Sequence, residues 1–419
     1  MIQRPKGTRD LLPNESYKWQ YVERKIANLL NRYNFKEIRV PVFEHTELFQ
    51  RGVGETTDVV QKEMYTFDDK GGRSISLRPE GTAGAVRAYL ENGLASEMSP
   101  VKLWYNMAMY RYENVQKGRL REFHQIGIEC IGSGDYQADV DTILIGKSIF
   151  NELNIPNIKL TINSIGCPTC RAKYQEVLRE FIGKNLDQYC ETCKTRFEKN
   201  PMRILDCKEK RCKELNVGAP MMIDYLCDEC KEHFENVKNS LTKIGVKFEI
   251  DPSIVRGLDY YTKTVFEFID ETSGLTVLGG GRYDGLVEEI GGVPTPAIGF
   301  GLGVERMMEL FDINNSDIKD SVPDVYICTA DKEAESVATL IAYNLRNMGI
   351  PVEKDVMGRS FNSQMKYANK IEAKSIIVIG GNEISDGKVK VRSMTDKSKE
   401  QEVEIYNYEE IKNAISNVI

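Results

Sequence analysis

The stretch VKLWYNMAMYRYENVQKGRLREFHQIGIECI, residues 101–131, holds two long alternating runs, 101–112 and 123–131, on either side of a polar loop. Alternation with period two is strand patterning, and two such runs joined by one loop predict an antiparallel hairpin. The loop, Glu113 to Glu122, carries Lys117, Gly118, Arg119 and Arg121, and a tip so long and so charged favours function over mere connection. On the second strand Phe123, Gln125, Gly127, Glu129 and Ile131 share one face. Gly127 leaves an empty slot there between an amide and a carboxylate, and Arg111 at the end of the first strand sets a guanidinium beside it. A small polar ligand fits such a slot with its donors toward Glu129. Read singly, Gln125 and Glu129 are ordinary solvent-facing strand residues.

Outward from the hairpin, the chain predicts a helix over 14–33 that Asn14 can cap, with Val22, Ile26, Leu29 and Tyr33 along one face. Ile38, Val40 and Val42 alternate as a strand, and Pro41 within it puts that strand at an edge or interface. Strand 75–78 is turned by Pro79-Glu80-Gly81-Thr82 into a helix that runs to about residue 92. Strands 264–269, 275–279 and 296–302 follow, then a helix from about Val304. Residues 170–240, charged, cysteine-paired and helical in pattern, interrupt the strands as an insertion. Asn314 to Pro323 reads as a linker. Beyond it, strand 324–329, helix 332–348, strand 351–354, helix 361–371, strands 375–380 and 388–393 and helix 408–418 make a terminal α/β domain. The expected division is therefore 1–322 and 323–419.

The 419 residues are 41% hydrophobic and 28% charged, which is globular composition. No run approaches about 18 apolar residues, so no membrane span is expected, and MIQRPKGTRDLLP lacks the apolar core of a secretory signal. A net charge of -7 disfavours indiscriminate nucleic-acid binding but allows a local basic surface. Stretches 354–399 and 194–213 each carry an excess of five positive charges, although either alone can be a solvated face. Ten cysteines without a signal sequence suit a reducing, cytoplasmic setting. Eight of them pair as Cys167/Cys170, Cys190/Cys193, Cys207/Cys212 and Cys227/Cys230. Three pairs are C-x2-C, the spacing with which two thiolates grip a tetrahedral zinc ion. The only histidines are His45, His124 and His233, so a zinc site would be mostly thiolate; free cysteines packing a small helical insert fit the pairs equally well.

Arg256 precedes a strand in Val255-Arg256-Gly257-Leu258-Asp259-Tyr260-Tyr261. Arg306 follows a strand whose Gly299, Gly301 and Gly303 strip one face bare, so a flat group can lie against the backbone. Arginine offers a planar fork suited to phosphate. Together with Arg111 these residues suggest a polyphosphate held on a sheet, although each alone also reads as a surface ion pair. No P-loop is present. Gly279-Gly280-Gly281-Arg282-Tyr283-Asp284-Gly285 lacks the surrounding βαβ unit of a dinucleotide fingerprint and reads equally as a tight turn.

KGTRDLLP (6–13), TELFQRGVGETTDVVQKEMYTF (46–67), LRPEGTAGAVRA (77–88), RYENVQKGRLREFHQIGIE (111–129), RGLDYYTKTVFEF (256–268) and the stretch 296–307 together resemble the class II aminoacyl-tRNA synthetases, and within them the histidyl-tRNA synthetases. The resemblance implies an α+β fold: a class II catalytic core with an antiparallel sheet flanked by helices, a helical insertion and a C-terminal α/β anticodon-binding domain. It implies an ATP-dependent ligase that makes histidyl-adenylate and pyrophosphate, then transfers histidine to the 3′ end of its cognate tRNA. L-histidine, ATP with Mg2+, that tRNA and a second copy of the chain are the implied partners, and no membrane is expected. By the same resemblance Arg111 and Arg256 act on the α-phosphate, Arg119 and Arg306 grip the outer phosphates, Glu113 contacts adenine and Phe123 stacks on it. Glu80 and Thr82 would hold the substrate amino group, and Gln125, Glu129, Tyr260, Tyr261 and Tyr283 would line the histidine pocket beside Arg256. Pro41 matches a proline at the dimer interface, and the basic stretch 354–399 would meet tRNA phosphates.

Two departures stand out. Met107-Ala108-Met109-Tyr110-Arg111 replaces the family's usual Gly-Pro-Met-Phe-Arg. Asn114-Val115-Gln116 replaces its Arg-Pro-Gln, in the loop that reads the extra 5′ guanylate of the tRNA. An idle paralogue that regulates ATP phosphoribosyltransferase usually lacks the RGLDYY segment, the last arginine and the terminal domain, all of which this chain has. A pure tRNA-binding module built on the same fold would tolerate an eroded pocket, and none of the pocket positions is eroded.

Overall fold

A computed structural model describes residues 2–54, 57–116, 118–205, 207, 209–254 and 256–419. Lys117 of the hairpin loop lies outside them. The chain forms two compact units, Met1–Ile318 and Lys319–Ile419.

The first unit is organised by an eight-stranded sheet. Its order is Lys36–Glu37, Val101–Tyr110, Glu122–Ile131, Ala297–Gly303, Thr276–Arg282, Thr262–Asp270, Ile158–Ser164 and Glu249–Ile250. The six long strands pair antiparallel, and each short outer strand pairs parallel to its neighbour. Alternation sends Ile126, Ile128, Ile298, Phe300 and Leu302 to one face, where they join Val22, Ile26 and Leu30 of helix Pro13–Arg32 in one apolar cluster. Polar and glycine positions of the same strands are thereby left on the opposite face.

Helix Pro13–Arg32 starts one residue before the expected Asn14 cap. Leu12 is its N-cap and Pro13 its first residue, where a missing N–H costs nothing. Residues 38–42 are not a strand. Arg78, buried, instead satisfies this segment's carbonyls, donating to Val40 O at 2.8 Å and Pro41 O at 3.2 Å. Gly279, Gly280 and Gly281 are not a turn but the middle of strand Thr276–Arg282. A Cβ at Gly280 would stand 2.3 Å from the Gly299 carbonyl, so close strand packing demands glycine there.

Helix Tyr136–Glu152 and strand Ile158–Ser164 come from a stretch in which the sequence patterning suggested no element. The helix packs against both the first helix and the sheet, so apolar residues surround much of it and a single-face period is blurred. Beneath the sheet, Arg282 and Asp139 are wholly buried and paired, and His233 Nε2 lies 3.0 Å from Asp139 Oδ1. Arg282 also donates to the Ser133 and Asp135 carbonyls at 2.7 and 3.0 Å, which satisfies the rest of the guanidinium.

The cysteine-paired stretch is helical, as expected: Pro168–Gly183, Glu191–Lys199, Lys210–Leu215 and Asp228–Lys243. It has an apolar cluster of its own, while Phe234, Val237 and Leu241 of its last helix belong to the main core.

The second unit is a five-stranded sheet ordered Val352–Lys354, Val325–Thr329, Ser375–Ile379, Lys388–Ser393 and Glu400–Glu404. The first three strands are parallel and the last two antiparallel. Helices Ala334–Asn347 and Tyr408–Val418 contribute to one apolar cluster and helix Phe361–Lys370 to another. Strand Glu400–Glu404, unforeseen in the sequence, tempers the basic stretch: Lys388 pairs with Glu402, and Lys390 and Arg392 with Glu400.

Candidate active site

Cross-strand register builds the floor. At one level Tyr105, Gly127, Gly301, Gly279 and Glu267 follow one another across five strands. At the next level come Leu103, Glu129, Gly299, Gly281 and Val265. The glycines pave a strip of bare backbone on the face away from helix Pro13–Arg32. The slot at Gly127 is not empty, however. The Tyr105 ring lies across it, and a Cβ at Gly127 would fall 2.2 Å from Tyr105 Cζ.

Over this floor opens a cavity of about 500 Å³, lined among others by Arg111, Glu113, Arg119, Phe123, Gln125, Arg256 and Arg306. Four separate parts of the chain thus bring guanidinium groups to one space, since Arg203 lines it as well. Arg111 follows strand Val101–Tyr110, donates from Nε to Pro79 O at 2.8 Å, and sits 5.3 Å from the Phe123 ring centroid. Arg119 donates to Glu113 at 3.1 Å across the loop. Arg306 lies in the first turn of helix Val304–Asn314, where strand Ala297–Gly303 hands over to it. It donates to Thr276 O at 2.6 Å and Gly118 O at 3.1 Å, tying the loop tip to the sheet. Burial, and then the neighbouring Arg119, draw its pKa below the usual arginine value. Cations crowded in this way favour an anion among them.

Arg256 lies flat on the bare strip. A Cβ at Gly279 would stand 2.4 Å from its Nη1, so glycine at 279 is what admits it. It is paired with Glu267 and lies 5.5 Å from the Tyr261 ring centroid, and its buried Nε has no hydrogen-bond partner. Burial works against its charge, but Tyr261 and Glu267 outweigh burial and raise its pKa.

Glu129 is further in, 1% exposed. It accepts hydrogen bonds from Tyr283 and, at 3.1 Å, from Tyr105. Burial pushes its carboxyl up to about 8 against the opposing hydrogen bonds from Tyr283, Thr82 and Tyr105. The Tyr260 ring lies 4.6 Å from that of Tyr261, tilted, and 5.5 Å from that of Tyr283, edge-on, so a run of packed aromatics joins the Arg256 end of the site to Glu129. Glu80 is buried as well, and burial raises its pKa. Its oxygens accept from the Thr82 and Ala83 N–H groups at 2.7 and 2.9 Å, so it also caps helix Thr82–Glu91.

The structure therefore gathers the expected residues in two tiers. The arginines, Glu113, Phe123 and Gln125 line the cavity, while Glu80, Thr82, Glu129 and the three tyrosines stand behind it. Sequence patterning missed Tyr105 and Glu267. Tyr105 could have been found by pairing the hairpin residue by residue, which sets it opposite Gly127. Glu267 alternates with the core residues Phe266 and Phe268 and so had to face the site.

Residues 7–307 match the family described as histidyl-tRNA synthetase, and residues 324–415 match an anticodon binding domain. A histidine–tRNA ligase of Acetivibrio thermocellus is 55% identical over 397 residues, 94% of this chain and 95% of that one. One of Clostridium novyi is 53% identical over 415 residues, 99% of each. Among solved structures, the apo histidyl-tRNA synthetase of S. aureus superposes with a TM-score of 0.83 at 36% identity, covering 99% of both chains.

Proposed function

Because the chain belongs to the histidyl-tRNA synthetase family, we propose that ATP and L-histidine are joined in the cavity over Gly127, Gly279 and Gly301. The chain is an ATP-dependent ligase that charges tRNA with histidine. One observation carries the assignment of the site: Arg111, Arg119, Arg256 and Arg306, from separate segments, line one cavity over a glycine floor.

The histidine carboxylate attacks the α-phosphorus of ATP and pyrophosphate leaves. Charge builds on the non-bridging oxygens, and preorganised guanidinium groups stabilise it where it forms. Arg256, with its unpartnered Nε, and Arg111 serve the α-phosphate; Arg119 and Arg306 serve the outer phosphates. The terminal ribose hydroxyl of the tRNA then attacks the adenylate's carbonyl carbon and AMP departs. Phe123 and Glu113 receive the adenine, and Glu80 and Thr82 the amino group of histidine. Glu129 accepts from the imidazole N–H, with Gln125, Tyr260, Tyr261 and Tyr283 forming the rest of the pocket. A side chain lacking that donor would leave the buried Glu129 carboxyl with only its tyrosine partners and an acceptor site unfilled, and selectivity follows.

Magnesium accompanies the ATP phosphates. Glu63 and Glu113 line the same cavity, and burial and then Glu113 lift the Glu63 carboxyl above its ordinary range. Glu63 would offer a carboxylate to Mg2+, which takes one or two beside phosphate, while Glu113 faces the adenine. Residues 1–322 form the catalytic domain, with the insertion at about 170–240, and 323–419 the anticodon-binding domain. The chain acts as a homodimer, a reading supported by the exposed apolar residues Val42 and Phe43 next to Pro41 and by exposed Phe67 on the same three-stranded sheet as Phe43. A cytoplasmic setting fits the ten free thiols.

Arg256→Ala tests the site. Histidine-dependent pyrophosphate exchange should fall about 10²–10³-fold, the usual loss for one preorganised donor, while tRNA affinity stays near normal. Exchange at the wild-type rate would refute the role of Arg256.

A further inference from the structure

We propose that the insert holds two zinc ions, one between Cys167, Cys170, Cys227 and Cys230 and the other between Cys190, Cys193, Cys207 and Cys212, and that the second fixes Arg203 against the segment carrying Arg256.

Sequence spacing alone left the partners of each pair open. Folding nests them, first pair with last and second with third, and within each set the four sulfurs lie within 4.8 Å of one another. Cys167 and Cys170 Sγ are 3.6 Å apart, and Cys190 and Cys207 Sγ 3.9 Å. Four thiolates about 2.3 Å from a central zinc would stand about 3.8 Å apart along each tetrahedral edge. A disulfide needs about 2.0 Å, and all eight cysteines are free.

The surroundings suit thiolates. Cys167, Cys190 and Cys227 are each the N-cap of a helix, and Cys170, Cys193 and Cys230 lie in the first turn, where the helix end favours negative charge. The Cys227 N–H donates to Cys170 Sγ at 3.0 Å, and the Cys190 N–H to Cys212 Sγ at 3.4 Å. Neither set contains histidine or carboxylate, and a four-sulfur tetrahedral cage is the ligand set of zinc or iron. The insert also needs a staple. Of the twelve buried residues in its own apolar cluster, five are cysteines. A core so small is stabilised outright by a structural metal.

The second set reaches the catalytic segment. Cys193 lies on one side of Arg203 in the chain and Cys207 on the other, so one metal would close the loop between them. Arg203 is buried and donates from Nε and Nη2 to Asp259 Oδ1 at 3.1 and 3.0 Å, and from Nη2 to Gly257 O at 2.7 Å. Arg196 bridges Arg203 O, at 3.1 Å, and Asp58, at 3.0 Å. Asn200 adds a hydrogen bond to Asp259 at 3.1 Å. The loop thus grips residues 257 and 259 immediately after Arg256, and Arg203 is a positioning residue for that arginine. The zinc content is independent of what Arg256 does; the coupling rests on its proposed role at the α-phosphate.

The test is elemental analysis of the full-length chain, purified without a metal-binding tag and dialysed against metal-free buffer. Two zinc ions per chain are expected, falling to one in Cys170→Ser and to one in Cys193→Ser. Fewer than two in the wild type, or iron in place of zinc, overturns the assignment. Should the serine variants not fold, cobalt exchange into the wild-type chain gives a second measurement. Thiolate-to-cobalt absorption should saturate at two equivalents, and saturation below two refutes the proposal. For the coupling, Arg203→Gln should keep both zinc ions. A displacement of about 1 Å at Arg256 would lower kcat of pyrophosphate exchange about a hundredfold with KM for histidine less affected. Cys193→Ser should lose a similar factor, the two changes together should do no more than either alone, and Arg203→Lys should recover part of the rate. Losses that multiply, or wild-type kcat in Arg203→Gln, would overturn the coupling while leaving the zinc assignment to its own measurement.

Discussion

Replacing Glu129 by glutamine separates two consequences of burying one carboxylate, and they have opposite signs. The free carboxyl ionises at 4.5 and the folded one at about 8, because burial disfavours its charge. Between those pH values the folded chain holds a proton that the unfolded chain has lost. Stability therefore falls as pH rises through this window and levels off above it. At about 1.4 kcal/mol for each tenfold change in proton affinity, the whole fall is about 5 kcal/mol at most. An amide at 129 has no such titration. Urea denaturation without substrates should show Glu129→Gln gaining on the wild type from pH 5 to pH 9, by one to a few kcal/mol, because groups that titrate in both chains cancel in the difference. Histidine binding should move the other way. Above pH 8, where the carboxyl is ionised, losing a charged acceptor for the imidazole N–H removes about 1.5–3 kcal/mol, a rise of about ten- to a hundredfold in KM for histidine, while KM for ATP stays put. A stability difference that does not change with pH would refute the raised carboxyl pKa. Unchanged histidine KM would remove Glu129 from the pocket.

Other substitutions probe the floor and the underside of the sheet. Gly279→Ala sets a Cβ 2.4 Å from Arg256 Nη1, at the end of a flexible side chain, so the chain should fold while the guanidinium is displaced. Pyrophosphate exchange should drop about a hundredfold, and wild-type kcat would mean that Arg256 does not lie on that glycine during the reaction. Arg282→Ala leaves the buried Asp139 carboxylate with only His233, and urea denaturation should show a loss of about 3–5 kcal/mol; a loss below about 1 kcal/mol would contradict the pairing. Burial opposes ionisation of Asp139, but His233 and Arg282 outweigh it and hold its pKa below the usual aspartate value. The stability this pair supplies is therefore present at neutral pH and lost as pH falls through the lowered pKa, so the wild type's acid limb should shrink in Arg282→Ala.

The elements legible in the chain were those with a clear two-residue alternation or a single apolar stripe. The hairpin of residues 101–131, the strand 296–302 and the alternating terminal domain followed from periodicity, because successive residues of a strand go to opposite faces with different surroundings. Helix Tyr136–Glu152 is packed on several sides and carried no single-face period. Residues 38–42 looked like a strand, but Arg78, distant in sequence, takes their carbonyls.

The same division holds at the site. Residue types and spacing determined that arginines, bare glycines and the Gln125–Glu129 pair belong to a nucleotide-handling sheet, since guanidinium chemistry and two-residue alternation are local properties. Only the tertiary structure decided that Tyr105 covers Gly127, that Gly279 makes room for Arg256, and that Glu129 is buried deeply enough for its carboxyl to rise to about 8. It also decided which cysteine pairs meet. Register, burial and the meeting of distant segments depend on how strands stack and helices cover them, and no run of neighbouring residues encodes that by itself.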